Sequence, residues 1–329
     1  MAVARVLVGL FLLLGACAPL LKPPGPAVTE PRFDGTTFLT ADGLDLPVRT
    51  WRPRDAEPGA VLVALHGFND YSNYFDVPGR HLAQAGIVSY AYDQRGFGGA
   101  PHRGLWPGAD AFADDAALFV RLVRARHPGL PVYLLGTSMG GSVSLVAMTR
   151  AHPPAVDGVI LTGAAVWARR TMPWYQRAAL AVATHTFPWM TLTGRGLGIK
   201  PSDNNPMLRK LSRDPSVIKE TRIDAIYGLV DLMDRSLEAT KALKAPALIL
   251  YGEKDEIIPA GPTYEMFRQI RRAADPDQRL AVYPLGYHML LRDLQAATVL
   301  DDIAAWIGDR RTALPSGADI RALKVIARK

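Results

Sequence analysis

The chain has 329 residues, 49% of them hydrophobic, which is enough for a large core in one or two domains. Its single cysteine excludes an intrachain disulfide and makes a cysteine-based metal site unexpected. The net charge of +7 is interpreted as spread along the chain, and no basic cluster of the kind that binds nucleic acid is recognised. We therefore expect a globular protein that binds neither nucleic acid nor a metal ion.

The first 17 residues are predicted to be a targeting segment outside the fold. Arg5 supplies a positive start, residues 6–14 are apolar, and Leu14-Gly-Ala-Cys17 follows. This tetrapeptide resembles the lipobox of bacterial lipoproteins, in which the cysteine becomes the lipidated N-terminus. The apolar run is shorter than the roughly 20 residues that a membrane-spanning helix needs. Ordinary signal cleavage near Ala18 and an uncleaved anchor are the alternatives.

Lipidation at Cys17 implies an exported protein that is anchored to a membrane of the bacterial cell envelope. In relatives that have an outer membrane, a neutral residue after the cysteine, here Ala18, favours transfer to it. Residues 18–32 are rich in proline and are predicted to be an extended tether between the lipid and the domain.

Residues 33–311 are predicted to form one α/β domain. Residues 33–40 and 45–52 alternate in polarity and predict an opening antiparallel pair. Short apolar runs then alternate with helical patterns, which is typical of a mostly parallel sheet covered by helices on both faces. The predicted strands are residues 60–65, 87–92, 132–135, 159–161, 247–250 and 280–283. Residues 166–241 interrupt this alternation and are predicted to be an inserted helical cap. Residues 312–329 are predicted to be a basic C-terminal tail that is either frayed or lies on a membrane surface.

The sequence Gly136-Thr-Ser-Met-Gly140 stands between a predicted strand and a predicted helix. This is the context of a nucleophile elbow, a tight turn that exposes its serine at the tip. Glycines on both sides leave room for that turn. We therefore predict that Ser138 is a nucleophile.

A serine nucleophile needs a histidine base and a carboxylate that orients the histidine. Of the histidines after Ser138, His288 directly follows an apolar strand, whereas His152 and His185 do not. Asp255 follows another strand through Gly252 and is preferred over its neighbours Glu253 and Glu256. The predicted triad is therefore Ser138, Asp255 and His288.

Two further groups of residues are predicted to surround the triad. Phe68, after the strand that ends in Leu65-His66-Gly67, and Met139 are the expected backbone N–H donors to a substrate oxyanion. His66 precedes the nucleophile and is expected to orient that loop rather than to act as a base. The aromatic side chains of the cap are suited to binding an acyl chain. The alternative is that they only pack the cap onto the core. The predicted substrate-binding residues are Trp167, Trp174, Phe187 and Trp189.

These motifs together resemble the α/β-hydrolase group that contains monoacylglycerol lipases and bacterial lysophospholipases, which is also labelled serine aminopeptidase-like. The likeness covers about residues 33–308 and rests on His66-Gly-Phe68, Gly136-Thr-Ser-Met-Gly140, Gly252-Glu-Lys-Asp255 and Tyr287-His288. It implies an α/β-hydrolase fold with an eight-stranded, mostly parallel sheet.

The resemblance also implies a serine hydrolase that cleaves esters of single-chain lipids, monoacylglycerols or lysophospholipids, through an acyl-enzyme and without a cofactor. A serine peptidase or an acyltransferase on the same fold remains open. So does a surface lipoprotein that only binds, although a pure binder has no need of a triad. Neither the head group, the chain length nor the oligomeric state follows from the sequence.

Overall fold

The computed structural model describes residues 18–54, 56–272 and 277–327. The predicted signal peptide and lipidation site, residues 1–17, lie outside the described residues. None of the helices in the described part of the chain has the length and hydropathy that crossing a membrane requires.

Runs of valine, isoleucine, leucine and tyrosine form the strands at the centre of the molecule, and each predicted strand is present. The strands are β1 (Arg32–Phe33), β2 (Thr37–Leu39), β3 (Asp45–Trp51), β4 (Ala60–Leu65), β5 (Ile87–Tyr92), β6 (Val132–Thr137), β7 (Gly158–Thr162), β8 (Thr191–Leu192), β9 (Thr221–Arg222), β10 (Ala247–Gly252) and β11 (Gln278–Tyr283). In β4, β5, β6, β7 and β10 every residue is buried, because helices cover both faces of the sheet.

The central sheet has the order β1-β2-β3-β5-β4-β6-β7-β10-β11. Its pairs from β5 to β11 are parallel, and the pairs β1–β2, β2–β3 and β3–β5 are antiparallel. The described sheet thus has nine strands rather than the eight expected. The first predicted strand divides in two, because the Asp34 carboxylate accepts hydrogen bonds from the N–H groups of Thr36 and Thr37 and Gly35 adopts a φ of 113°.

The described helices are α1 (Asp76–Gln84), α2 (Ala109–Arg126), α3 (Met139–Met148), α4 (Trp174–Thr186), α5 (Asn205–Arg213), α6 (Ile223–Ala239), α7 (Ala260–Arg272), α8 (Ala296–Gly308) and α9 (Ala318–Ala327). Three short 3₁₀ turns accompany them, at Ser72–Phe75, Arg169–Thr171 and Thr240–Ala242. Alternate side chains of each central strand enter different cores. In β10, Leu248 and Leu250 pack with α8, while Ile249 and Tyr251 pack with α7.

The predicted cap, residues 166–241, includes one element that belongs to the core layer. Helix α6 packs against α3 and α2, with Val230, Leu232 and Leu237 buried, because its apolar stripe faces the sheet layer. The part that stands apart from the core is therefore residues 166–222, with α4, α5 and the β8–β9 pair. This shorter segment is called the cap below.

Both terminal segments pack more closely on the domain than predicted. Along the predicted tether, the N–H of Lys22 donates to the carbonyl oxygen of Trp106 at 2.8 Å, and that of Val28 donates to Ala41 at 2.8 Å. In the predicted tail, α9 lies along β11 with Ala322 fully buried. The basic charge of the tail did not reveal this packing, which rests on its small apolar face.

Arg95, in the turn after β5, pairs with carboxylates that are distant in the chain. Its guanidinium is buried and donates to both oxygens of Asp42, each at 2.7 Å, and to Asp115. Burial opposes ionisation of Asp42, but hydrogen bonds from Arg95 and Thr40 hold the pKa of that carboxyl well below its usual range. Since removing one member of such a buried cluster typically costs about 3–5 kcal/mol, Arg95 fixes this corner of the fold.

Candidate active site

The nucleophile elbow forms at the end of β6. Ser138 joins β6 to α3 and has a φ of 52° and a ψ of −117°, a conformation that residues with a Cβ rarely adopt. A side chain at Gly136 would collide with the backbone of Gly140, and one at Gly140 would collide with the carbonyl group of Leu65. The two glycines therefore let the chain turn sharply enough to lift Ser138 above the sheet edge.

The structure brings the three predicted triad residues together. The Nε2 atom of His288 lies 3.0 Å from the Oγ of Ser138, and its Nδ1 lies 2.8 Å from Oδ2 of Asp255. Each side chain follows the carboxyl end of a different parallel strand, β6, β10 or β11, so the three meet at one edge of the sheet. This is the geometry in which a histidine can take the proton of a serine hydroxyl.

Asp255 is oriented from two sides. Its Oδ1 accepts hydrogen bonds from the N–H groups of Ile257 and Ile258, at 2.8 and 2.9 Å, which leaves Oδ2 for His288. The competing acids are engaged elsewhere, since Glu253 pairs with Arg321 and Glu256 accepts the N–H of Lys200. The competing bases His152 and His185 are both exposed.

The predicted oxyanion donors lie beside Ser138. Met139 is the first residue of α3, where N–H groups have no partner within the helix. A Cβ at Gly67 would stand 3.2 Å from that of Ser138, which places the loop of Phe68 against the nucleophile. Within the described residues, the N–H groups of Phe68 and Met139 have no hydrogen-bond acceptor. Both are therefore free to bind a substrate oxygen.

His66 has the structural role that its position suggested. It is fully buried, its Nδ1 lies 2.8 Å from the carbonyl oxygen of Gly67, and its Nε2 accepts the N–H of Gln94 at 3.0 Å. Burial lowers the pKa of the imidazole, which favours the neutral ring that this pattern requires. His66 thus joins the oxyanion loop to the turn after β5.

The four aromatic residues that are predicted to bind substrate differ in their exposure. Trp167 is half-buried and packs against the core, but Trp174, Phe187 and Trp189 are 73%, 52% and 54% exposed. On the same helix as Trp174, it is Leu180 that packs against the core. These three residues are therefore surface residues in this structure.

A cavity of about 350 Å³ opens near the triad and was not predicted. Its lining includes Asp70, Tyr74 and Arg292, with Met207 and Leu211 from α5. Thr137, the residue before Ser138, donates to the Tyr74 hydroxyl at 3.4 Å, so this wall adjoins the elbow. Two wider hollows in the described part of the chain, of about 610 and 620 Å³, lie elsewhere, and no triad residue lines either of them or this cavity.

Burial raises the pKa of Asp70, whose Oδ2 lies 3.4 Å from the Arg292 guanidinium. Only the position of Asp70 in the motif after β4 could have drawn attention to this pair. The cavity thus combines an ion pair and a tyrosine with apolar side chains from the cap.

Comparison with known proteins identifies the family and the fold of the chain. The family model described as serine aminopeptidase, S33 matches residues 56–295. The monoacylglycerol lipase of Mycolicibacterium smegmatis is 27% identical over 283 residues, covering 82% of this chain and 95% of that protein. The monoglyceride lipase of Mus musculus is 28% identical over 293 residues, covering 87% and 94%.

Among solved structures, a soluble variant of the monoglyceride lipase from Saccharomyces cerevisiae, in complex with a substrate analog, superimposes with a TM-score of 0.67. It is 22% identical and covers 88% of this chain and 99% of that one, so it shows the shared fold. The fold is that of the α/β-hydrolases, and the chain belongs to the serine aminopeptidase S33 family.

Proposed function

We propose that the protein is a serine hydrolase that cleaves carboxylic esters of single-chain lipids, monoacylglycerols or lysophospholipids. The observation that carries the proposal is the hydrogen-bonded chain Ser138–His288–Asp255 beside two free backbone N–H groups. Relatives that match over most of this chain are named monoacylglycerol lipase and monoglyceride lipase, which supports an ester of a single acyl chain.

The geometry implies a two-step reaction. The Oγ of Ser138 attacks the ester carbonyl carbon while Nε2 of His288 takes its proton, and the oxyanion accepts hydrogen bonds from the N–H groups of Phe68 and Met139. His288 then gives the proton to the departing alcohol, which leaves an acyl-serine. A water molecule, deprotonated by the same imidazole, attacks the acyl carbon, and the imidazolium then returns this proton to the Oγ of Ser138 as the acyl–oxygen bond breaks and the fatty acid leaves. Asp255 holds the imidazole in the tautomer that both steps need.

We also propose that the enzyme works at a membrane surface, anchored through Cys17. The cap carries ten lysines and arginines against three acids, a net charge of +7 that equals the charge of the whole chain, so the charge is concentrated rather than spread. Exposed Trp174, Phe187 and Trp189 lie in the same segment. A basic segment with exposed aromatic side chains suits an anionic lipid surface.

The position of the N-terminal segment supports a cap that faces the membrane to which Cys17 is anchored. The N–H of Leu20 lies 3.3 Å from a carboxylate oxygen of Asp224, and the N–H of Asp224 donates to the carbonyl oxygen of Pro188, between Phe187 and Trp189. The first described residues therefore lie beside the aromatic part of the cap.

Full-length protein is expected in the membrane fraction, and a Cys17→Ser variant is expected to leave it. A variant that stays membrane-bound in the same proportion would contradict the anchor.

A panel of substrates tests the reaction. Protein lacking residues 1–17 would be assayed on p-nitrophenyl esters of graded chain length, a monoacylglycerol, a lysophospholipid and an aminoacyl amide. We expect turnover of the lipid esters, with one chain-length optimum set by the pocket. Amide turnover without ester turnover would instead favour a peptidase, the activity in the family's description. A folded protein that turns over none of them would contradict the hydrolase.

A further inference from the structure

The loop that carries His288 is bonded to the cap. This histidine loop comprises residues 284–295, between β11 and α8. The N–H of Met289 donates to the carbonyl oxygen of Pro201 at 2.9 Å, and the N–H of Leu294 donates to Oδ1 of Asp203 at 2.8 Å. Asn204 adds a hydrogen bond to the carbonyl oxygen of Arg292 at 3.0 Å. The catalytic base is thus held by a segment that belongs to the cap and not to the sheet.

The centre of this junction is a buried carboxylate, Asp293. Its Oδ2 accepts the N–H of Tyr287, the residue before His288, at 2.7 Å. Its Oδ1 accepts the hydroxyl of Ser202 at 2.6 Å. Asp293 is only 4% exposed and Ser202 is fully buried, so neither contact is exchanged readily for water. One side chain therefore connects the backbone beside the base to the cap.

A buried carboxylate without a cationic partner is costly, and burial raises the pKa of Asp293. The adjacent Arg292 is directed to Asp70 and to the ring of Tyr74 instead. An apolar residue of the same volume would avoid this cost but would leave the N–H of Tyr287 and the buried hydroxyl of Ser202 without an acceptor. The two hydrogen bonds of Asp293 also fix the position of a backbone that must place an imidazole to within a fraction of an ångström.

We propose that Asp293 and Ser202 form a clamp that positions His288 and makes its alignment depend on the seating of the cap. Asp293 is a positioning residue, because it acts through the Tyr287 backbone and does not contact Ser138. The clamp rests on the proposed function in one respect, that His288 is the base for Ser138. A cap that lifts from the domain withdraws Ser202 from Asp293 and loosens the base, so that the triad is fully aligned only when the cap is seated.

Four variants test the clamp: Ser202→Ala, Asp293→Ala, their combination, and Asp293→Asn. The asparagine variant keeps the contact with Tyr287, whose N–H its carbonyl oxygen accepts, and reverses the contact with Ser202, because its amide donates to the hydroxyl oxygen that donates to Asp293 in the wild type. We expect each alanine variant to lower kcat about tenfold with KM changed by less than about twofold. The double variant should lose no more than the worse single variant, since the two side chains act as one unit. Asp293→Asn should restore kcat to within about threefold of wild type.

Matched controls are Ser212→Ala and Asp301→Asn, which alter an exposed serine at the end of α5 and an exposed carboxylate on α8. The labelling rate of Ser138 by a fluorophosphonate reports alignment of the base without any lipid substrate. Slower labelling in the alanine variants, with wild-type melting behaviour, would support the clamp even if the lipid-ester assay failed for the wild type. Unchanged labelling and kcat in folded alanine variants, or losses that add in the double variant, would overturn it.

Discussion

Replacing Ser138 with alanine is expected to lower kcat for ester hydrolysis by about 10⁴-fold or more. The alanine has no oxygen to attack the carbonyl carbon, so His288 and Asp255 have no nucleophile to activate and no acyl-enzyme forms. Residual turnover reflects only the oxyanion donors and substrate binding. Initial rates on a p-nitrophenyl ester measure the loss, and intact-protein mass spectrometry after mixing shows whether the acyl adduct appears.

The matched control is Ser144→Ala on the same helix. Ser144 is also buried, but its hydroxyl donates to the carbonyl oxygen of Gly140, within α3. Its removal should leave kcat within about threefold of wild type, as for a change outside the reacting groups. A Ser138→Ala protein that still acquires the acyl adduct, or that keeps more than about a tenth of its activity, would move the nucleophile to another residue.

Asp255→Asn is expected to lower kcat by about 10⁴-fold. Oδ1 of Asp255 faces two N–H donors and Oδ2 faces Nδ1 of His288, so every neighbour of this carboxylate is a donor. An asparagine keeps its oxygen towards Ile257 and Ile258 and turns its amide towards His288. The imidazole then accepts at Nδ1 and carries its proton on Nε2, where it can no longer take the proton of Ser138.

The control for this change is Glu253→Gln, two residues away, whose carboxylate pairs with Arg321 at the surface. It should keep wild-type kcat, because exposed ion pairs contribute little and this one does not touch the base. Comparable losses in Asp255→Asn and Glu253→Gln would show that the loop tolerates neither change for structural reasons and that Asp255 has no special role as the acid.

The sequence was most informative where chemistry and chain position coincide. Ser138, Asp255 and His288 each follow a buried apolar run, and this position distinguished His288 from the other histidines, as the spacing from Gly252 distinguished Asp255 from the neighbouring glutamates. These runs are recognisable because a strand covered on both faces must be apolar throughout. The spacing of the glycines around Ser138 adds the local turn, so the elbow and the parallel sheet could both be predicted.

Features that depend on long-range partners were not predictable in this way. Arg95 pairs with Asp42 and Asp115, which are 53 and 20 residues away, and only the folded chain brings them together. Ser202 and Asp293 are separated by 91 residues and belong to no motif. The aromatic composition of the cap predicts that Trp174 and Trp189 make apolar contacts. It does not say whether these rings face a substrate or the solvent.

The order of the strands has a consequence for when activity first arises during synthesis. Ser138 is made before its base, because His288 follows β11, and β11 is held between β10 and α9. A ribosome-bound chain that stops before His288 therefore contains a nucleophile without a base. Such partly made molecules are expected to be inert towards lipid esters, and the hydrolase starts to work only after α9 has docked against β11.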